Sequence, residues 1–73
     1  MSVGENLRRI RIEKGVTQSW LAEKAGVGQS MIAQIERETK NPSLQLGRDI
    51  ANALGVSMDA LLAPAEGGEG KEV

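Results

Sequence analysis

The chain has 73 residues, with nine Lys/Arg against ten Asp/Glu and a formal net charge of −1. It contains no cysteine and no histidine, which excludes disulfides, thiolate and imidazole metal sites, and the commonest general base. One small domain is what this length supports, and no apolar run approaches the roughly 20 residues needed to cross a bilayer, so the expectation is a soluble cytoplasmic protein with no membrane role and no cofactor.

Trp20 is the only aromatic residue, so the core must be aliphatic. Leu, Ile, Val, Ala and Met favour packed helices over a sheet, and an all-α fold is expected. The first helix is predicted over residues 2–14. Ser2 can cap it, with Glu5 three positions on as capping-box partner. Leu7 and Ile10 mark its buried stripe, Arg8, Arg9 and Lys14 its solvated side, and Gly15 suits a left-handed stop. Arg11 follows Leu7 by four and so falls near the buried stripe. It is either a snorkelling surface arginine or the partner of an acid elsewhere.

The second helix is predicted over residues 18–25, with Thr17 as N-cap, and the third over residues 29–37, opened by Gly28. Leu21, Ala22 and Ala25 share one face of the former, and Ile32 and Ile35 one face of the latter. Ala25-Gly26-Val27 between them supplies a small residue, a residue free to take positive φ, and a hydrophobe to plug the corner. Two helices joined by so short a turn form a helix-turn-helix unit, whose second helix can enter the major groove of DNA. Its outward positions are Gln29, Ser30, Ala33 and Gln34, and glutamine can read a base edge with two hydrogen bonds. Trp20 stands where a capping-box glutamate would. It can lie across its own domain, mark a partner or subunit contact, or touch the DNA backbone through its indole N–H.

Pro42 and Ser43 open a fourth helix over residues 44–54, with Ser43 as N-cap. Leu44, Ile50, Ala51 and Leu54 form its expected buried face, and Gly55 its end. Gly47 weakens that helix by roughly 1 kcal/mol against alanine. Ser57 caps a short fifth helix over residues 58–63, with Leu61 and Leu62 expected to turn inward and Pro64 to stop it. Residues 64–73 are Gly- and Glu-rich and read as a disordered acidic tail. Up to Pro64, eight Lys/Arg face seven Asp/Glu, a balance of +1. Beyond it, Glu66, Glu69 and Glu72 face Lys71, a balance of −2. A near-neutral domain permits nucleic-acid binding without predicting it.

The NLR opening at Asn6, TQ and LA at the start of the second helix, AGV at the turn, IER at the end of the third, NPS, and ALGVS before the last helix together resemble the Cro/phage-repressor type of helix-turn-helix domain, the XRE family. The resemblance covers residues 2–63, taken as one DNA-binding domain over residues 1–63. It implies a compact five-helix fold and a regulator, usually a repressor, that binds operator DNA as a symmetric homodimer.

The resemblance also implies roles. Gln18 would grip a phosphate, and Gln29, Ser30 and Gln34 would read bases. Thr39, Lys40 and Asn41 would follow the backbone, Arg11 and Glu36 would form a partly buried ion pair, and Met58 with Leu61 would lie in the dimer interface. Four residues depart from the family pattern. Gly28 replaces a hydroxyl cap, Met31 a small polar residue, Glu38 a glycine ending the recognition helix, and Gly47 a large apolar residue. The last implies a cavity or a compensating neighbour, for which Trp20 is a candidate.

Three function classes follow. The first is a DNA-binding regulator. The second is an antitoxin or adaptor using the same fold for protein contacts, favoured by Trp20 and the acidic tail. The third, an enzyme, lacks a catalytic constellation or Gly-rich phosphate loop in the sequence, so no catalytic residue is expected.

Overall fold

The computed structural model describes residues 3–63. Five helices follow in order: α1 (Val3–Lys14), α2 (Gln18–Ala25), α3 (Gln29–Glu36), α4 (Leu44–Leu54) and α5 (Met58–Leu62). The expected cap at Ser2 and the expected tail over residues 64–73 lie outside the described residues. Among the described residues there is no strand.

Local chemistry starts and stops these helices. The hydroxyls of Thr17, Ser43 and Ser57 accept from the amides of Trp20, Leu46 and Ala60, at 3.0, 3.1 and 3.2 Å. Each satisfies one of the donors that a helix start leaves without an intrahelical partner. Gly28 opens α3 with no side-chain bond.

The stops share one device. Gly15, Gly26 and Gly55 take φ of 73°, 76° and 72°, and the following valine amide reaches back five residues. Val16 donates to the Arg11 carbonyl, Val27 to that of Ala22 and Val56 to that of Ala51, at 3.2, 2.9 and 3.0 Å. This is the Schellman turn, and each valine then packs against the core. The next residue caps the following helix, so Gly-Val-cap recurs at residues 15–17, 26–28 and 55–57.

The fourth junction has the same bonds without the glycine. Thr39 donates to the Gln34 carbonyl and Glu38 to that of Ile35, both at 3.0 Å. Glu38 holds φ 65°, the one positive value at a non-glycine residue among those described. Its β-carbon makes that conformation costly.

Leu7, Ile10, Leu21, Ile32, Ile35, Ile50, Leu54 and Leu61 fill the core, with Ala22, Ala25 and Ala51 between them. α2 packs on α3 and α4, while α1 crosses α3 and α5. Gly4 lets α1 approach α3, since a β-carbon there would strike the Ile35 carbonyl oxygen. Asn6 is the buried polar residue among those described, and its amide donates to the carbonyls of Leu61 and Ala63.

Several expectations are corrected. Leu44 is not on the buried face of α4 but 70% exposed. It lies on the rim of a groove of about 330 Å³ that Val3, Pro42, Met58 and Leu62 also line. Leu62 is 46% exposed, because adjacent residues of a helix point about 100° apart and Leu61 takes the inward direction. Space beside Gly47 is filled by Met58, whose Cε would be 3.2 Å from a β-carbon there, and not by Trp20. α3 ends at Glu36, with Arg37 capping it, and α5 ends at Leu62.

Candidate nucleic-acid interface

The Thr17 cap and the Gly26 turn fix where α2 begins and where α3 can leave it. Leu21, Ala22 and Ala25 from α2 and Ile32 and Ile35 from α3 then lock the two helices through the core. α3 is left with an uncovered side. Gln29 and Ser30 are exposed at its first turn, and Ala33 and Gln34 are half-buried one turn later. Met31 packs partly against the core.

Gln18, at the first position of α2, lies beside this surface. Its carbonyl oxygen accepts from Gln29 Nε2 at 3.3 Å, and its Nε2 donates to Glu36 Oε1 at 3.1 Å. Glu36 is also the partner of Arg11. Arg11 Nε reaches Oε2 at 2.6 Å and Nη2 reaches Oε1 at 3.2 Å, while Nη1 donates to the Val16 carbonyl at 2.9 Å. The two side chains are only 14% and 4% exposed. This geometry pairs two forks and ties α1, the α1–α2 turn and α3 together.

One participant escaped the sequence reading. Ser19 donates from Oγ to Gln29 Oε1 at 3.1 Å. No pattern in the sequence marks Ser19. Its role follows only from the angle at which α3 leaves α2.

Thr39, Lys40 and Asn41 are all exposed in the α3–α4 connection, with Arg37 and Glu38 just before them. Thr39 Oγ1 also bonds the Gln34 carbonyl at 3.2 Å, which holds the start of the loop against α3. Met58 and Leu61 part company. Met58 is half-buried on the rim of the α4–α5 groove, but Leu61 is 2% exposed and belongs to the core. Leu61 thus sits at the floor of that groove, beneath Met58. Trp20 keeps 38% of its surface, and Lys24 Nζ, one turn along α2, stands 5.6 Å from its ring centroid. Among the described residues no group of acids could hold a metal ion, and no helix is long and apolar enough to cross a membrane.

Comparison with known proteins bears on this surface. A helix-turn-helix family model matches residues 7–61. The immunity repressor protein of Bacillus phage phi105 is 44% identical over 62 residues, covering 85% of this chain and 43% of the repressor. The chain thus spans less than half of that relative's length. Among solved structures, the biofilm master regulator SinR in complex with DNA is 43% identical with a TM-score of 0.77, over 82% of this chain and 97% of that one. The P22 c2 repressor in complex with a synthetic operator is 30% identical with a TM-score of 0.80, over 86% and 96%.

Proposed function

The chain belongs to the XRE family of helix-turn-helix domains, and from that premise we propose that it is a sequence-specific DNA-binding transcriptional regulator, acting in the cytoplasm as a repressor. α3 enters the major groove. Gln29, Ser30 and Gln34 read base edges, and the glutamines favour adenine through paired hydrogen bonds. Gln18, Thr39, Lys40 and Asn41 hold the phosphates on either side, the first aided by the N-terminal dipole of α2.

The observation that carries this reading is the uncovered first turn of α3, where Gln29 and Ser30 are exposed beside Gln18. Similarity to a phage immunity repressor and to an operator-bound repressor supports the regulatory role. Repression needs no catalytic step. The bound protein occludes the promoter.

Two copies bind as a homodimer, with recognition helices about 34 Å apart on successive major grooves of a near-palindrome. Met58, Leu44 and Leu62 around the α4–α5 groove supply apolar surface for that contact. The test is selection of bound duplexes from a randomised pool by the purified chain. An inverted repeat with half-sites about 10 base pairs apart, bound with a steep dependence on salt, is expected. Failure to enrich any sequence overturns the reading. A second reading, an antitoxin or adaptor that grips a protein through Trp20, draws on the exposure of that ring. It predicts that Trp20→Ala abolishes partner capture and leaves DNA affinity unchanged.

A further inference from the structure

We propose that Glu36 and Ser19 are positioning residues for the Gln29 amide, Glu36 setting through Gln18 which way round it faces, and so which base it accepts, and Ser19 holding it in place; the proposal rests on the DNA reading above. A side-chain amide is nearly symmetric in shape, and turning it over exchanges its donor and its acceptor. A glutamine that can turn over reads bases loosely. One that is held presents donor and acceptor in a single order.

The holding begins at Glu36. A carboxylate paired with a guanidinium has only lone pairs to offer. Glu36 Oε1 therefore takes the NH₂ of Gln18, at 3.1 Å, and forces the Gln18 carbonyl outward. That carbonyl accepts the NH₂ of Gln29 at 3.3 Å, which turns the Gln29 carbonyl toward Ser19. Ser19 closes the chain by donating its hydroxyl to Gln29 Oε1 at 3.1 Å. Every donor in the series points toward Glu36, where Arg11 balances the charge. Turning Gln29 over would set its oxygen against the Gln18 oxygen, and that clash holds the order; the Ser19 hydroxyl, which can donate or accept, keeps the amide in place.

What Gln29 has left is one N–H and one lone pair, in fixed order. Adenine offers N7 as acceptor and N6 as donor along its major-groove edge, and one amide meets both. Guanine offers two acceptors, N7 and O6, and leaves the Gln29 oxygen facing a lone pair. The preference is thus set three residues away from the base, by a carboxylate that never touches DNA.

The test selects duplexes from one randomised pool with the wild-type chain and with Ser19→Ala, Ser19→Thr, Gln18→Met and Glu36→Gln. Thermal melting of each variant reports folding. For the wild type, one column per half-site should prefer adenine. Ser19→Ala and Gln18→Met should lower discrimination at that column roughly 3- to 10-fold, the worth of one neutral hydrogen bond, relative to the other columns. Ser19→Thr, which keeps the hydroxyl, should restore it. Glu36→Gln should loosen the same column. If it does not fold, Gln18→Met carries the test, because it leaves the Arg11–Glu36 pair intact. A wild type that enriches no motif overturns the DNA reading and this proposal together. A wild-type motif with no adenine column, an equal loss at every column, or an unchanged column in Ser19→Ala overturns this proposal alone.

Discussion

Asn6 donates from its side-chain amide to the backbone carbonyl of Leu61 at 2.8 Å, joining residues 55 positions apart. Its second N–H reaches the Ala63 carbonyl at 2.7 Å. α5 has five residues, too few to satisfy its own last carbonyls. Asn6→Ala should therefore destabilise the fold by about 1–3 kcal/mol, the cost of leaving a buried acceptor unmet. Asn6→Asp should be worse, since it brings acceptor oxygens against carbonyl oxygens. Melting of the two variants checks this, and the order wild type, Ala, Asp is the diagnostic outcome.

Glu38 holds a left-handed conformation just after α3, and its side chain lies against Gly4 in the first turn of α1. Glycine removes the backbone cost. Loss of an acid near the start of α1 offsets part of the gain, roughly 0.3–1 kcal/mol. Glu38→Gly should stabilise by about 1 kcal/mol in net and raise melting by roughly 4–8 °C. It also removes a negative charge beside Thr39 and Lys40, so affinity for the selected operator should rise. Unchanged melting and unchanged binding would place this residue away from the DNA path.

Gly47 is buried in α4 under the end of Met58. Alanine there gains helix propensity, about 1 kcal/mol. Its β-carbon would meet Met58 Cε at 3.2 Å, but that is the far end of a flexible side chain with an open groove beside it. The methionine can yield, and Gly47→Ala should stabilise by about 0.5–1 kcal/mol. A fall in denaturant midpoint would mean that Met58 is held too tightly to move.

Gln29→Ala should cost about 1–3 kcal/mol in operator binding, concentrated at one base position. Lys40→Ala should instead weaken all sequences alike and lower the slope of log K against log salt by about 1. Competition titrations against single-substituted operators separate the two patterns.

Most of the architecture was legible because short-range chemistry decides it. The hydroxyl caps at Thr17, Ser43 and Ser57 and the glycine stops act within a few residues, and the expected helix ends differ from the observed ones by about one residue. What the sequence concealed depends on helices meeting in space. Asn6 looks like a solvated residue beside Leu7 until α5 and the residue that ends it bring the Leu61 and Ala63 carbonyls against it. Gly4 looks incidental until Ile35 stands against it. Leu44 and Leu62 fit an apolar stripe, yet α4 and α5 leave their ends uncovered. The same holds at the interface. The helical period places Gln29 and Gln34 off the buried stripe of α3, whereas the Ser19 contact with Gln29 exists only once α3 is set at its angle to α2.

Trp20 gives the molecule a built-in fluorophore, free of competing emission because the chain has no tyrosine. The indole stands one residue past Ser19, on the outside of α2, rather than among the core aliphatics. Its emission therefore reports from the outer side of α2, where Lys24 Nζ stands 5.6 Å from the ring centroid. An optical titration with unlabelled duplex would follow docking at that side of α2, while far-UV circular dichroism would report separately whether the helices stay formed.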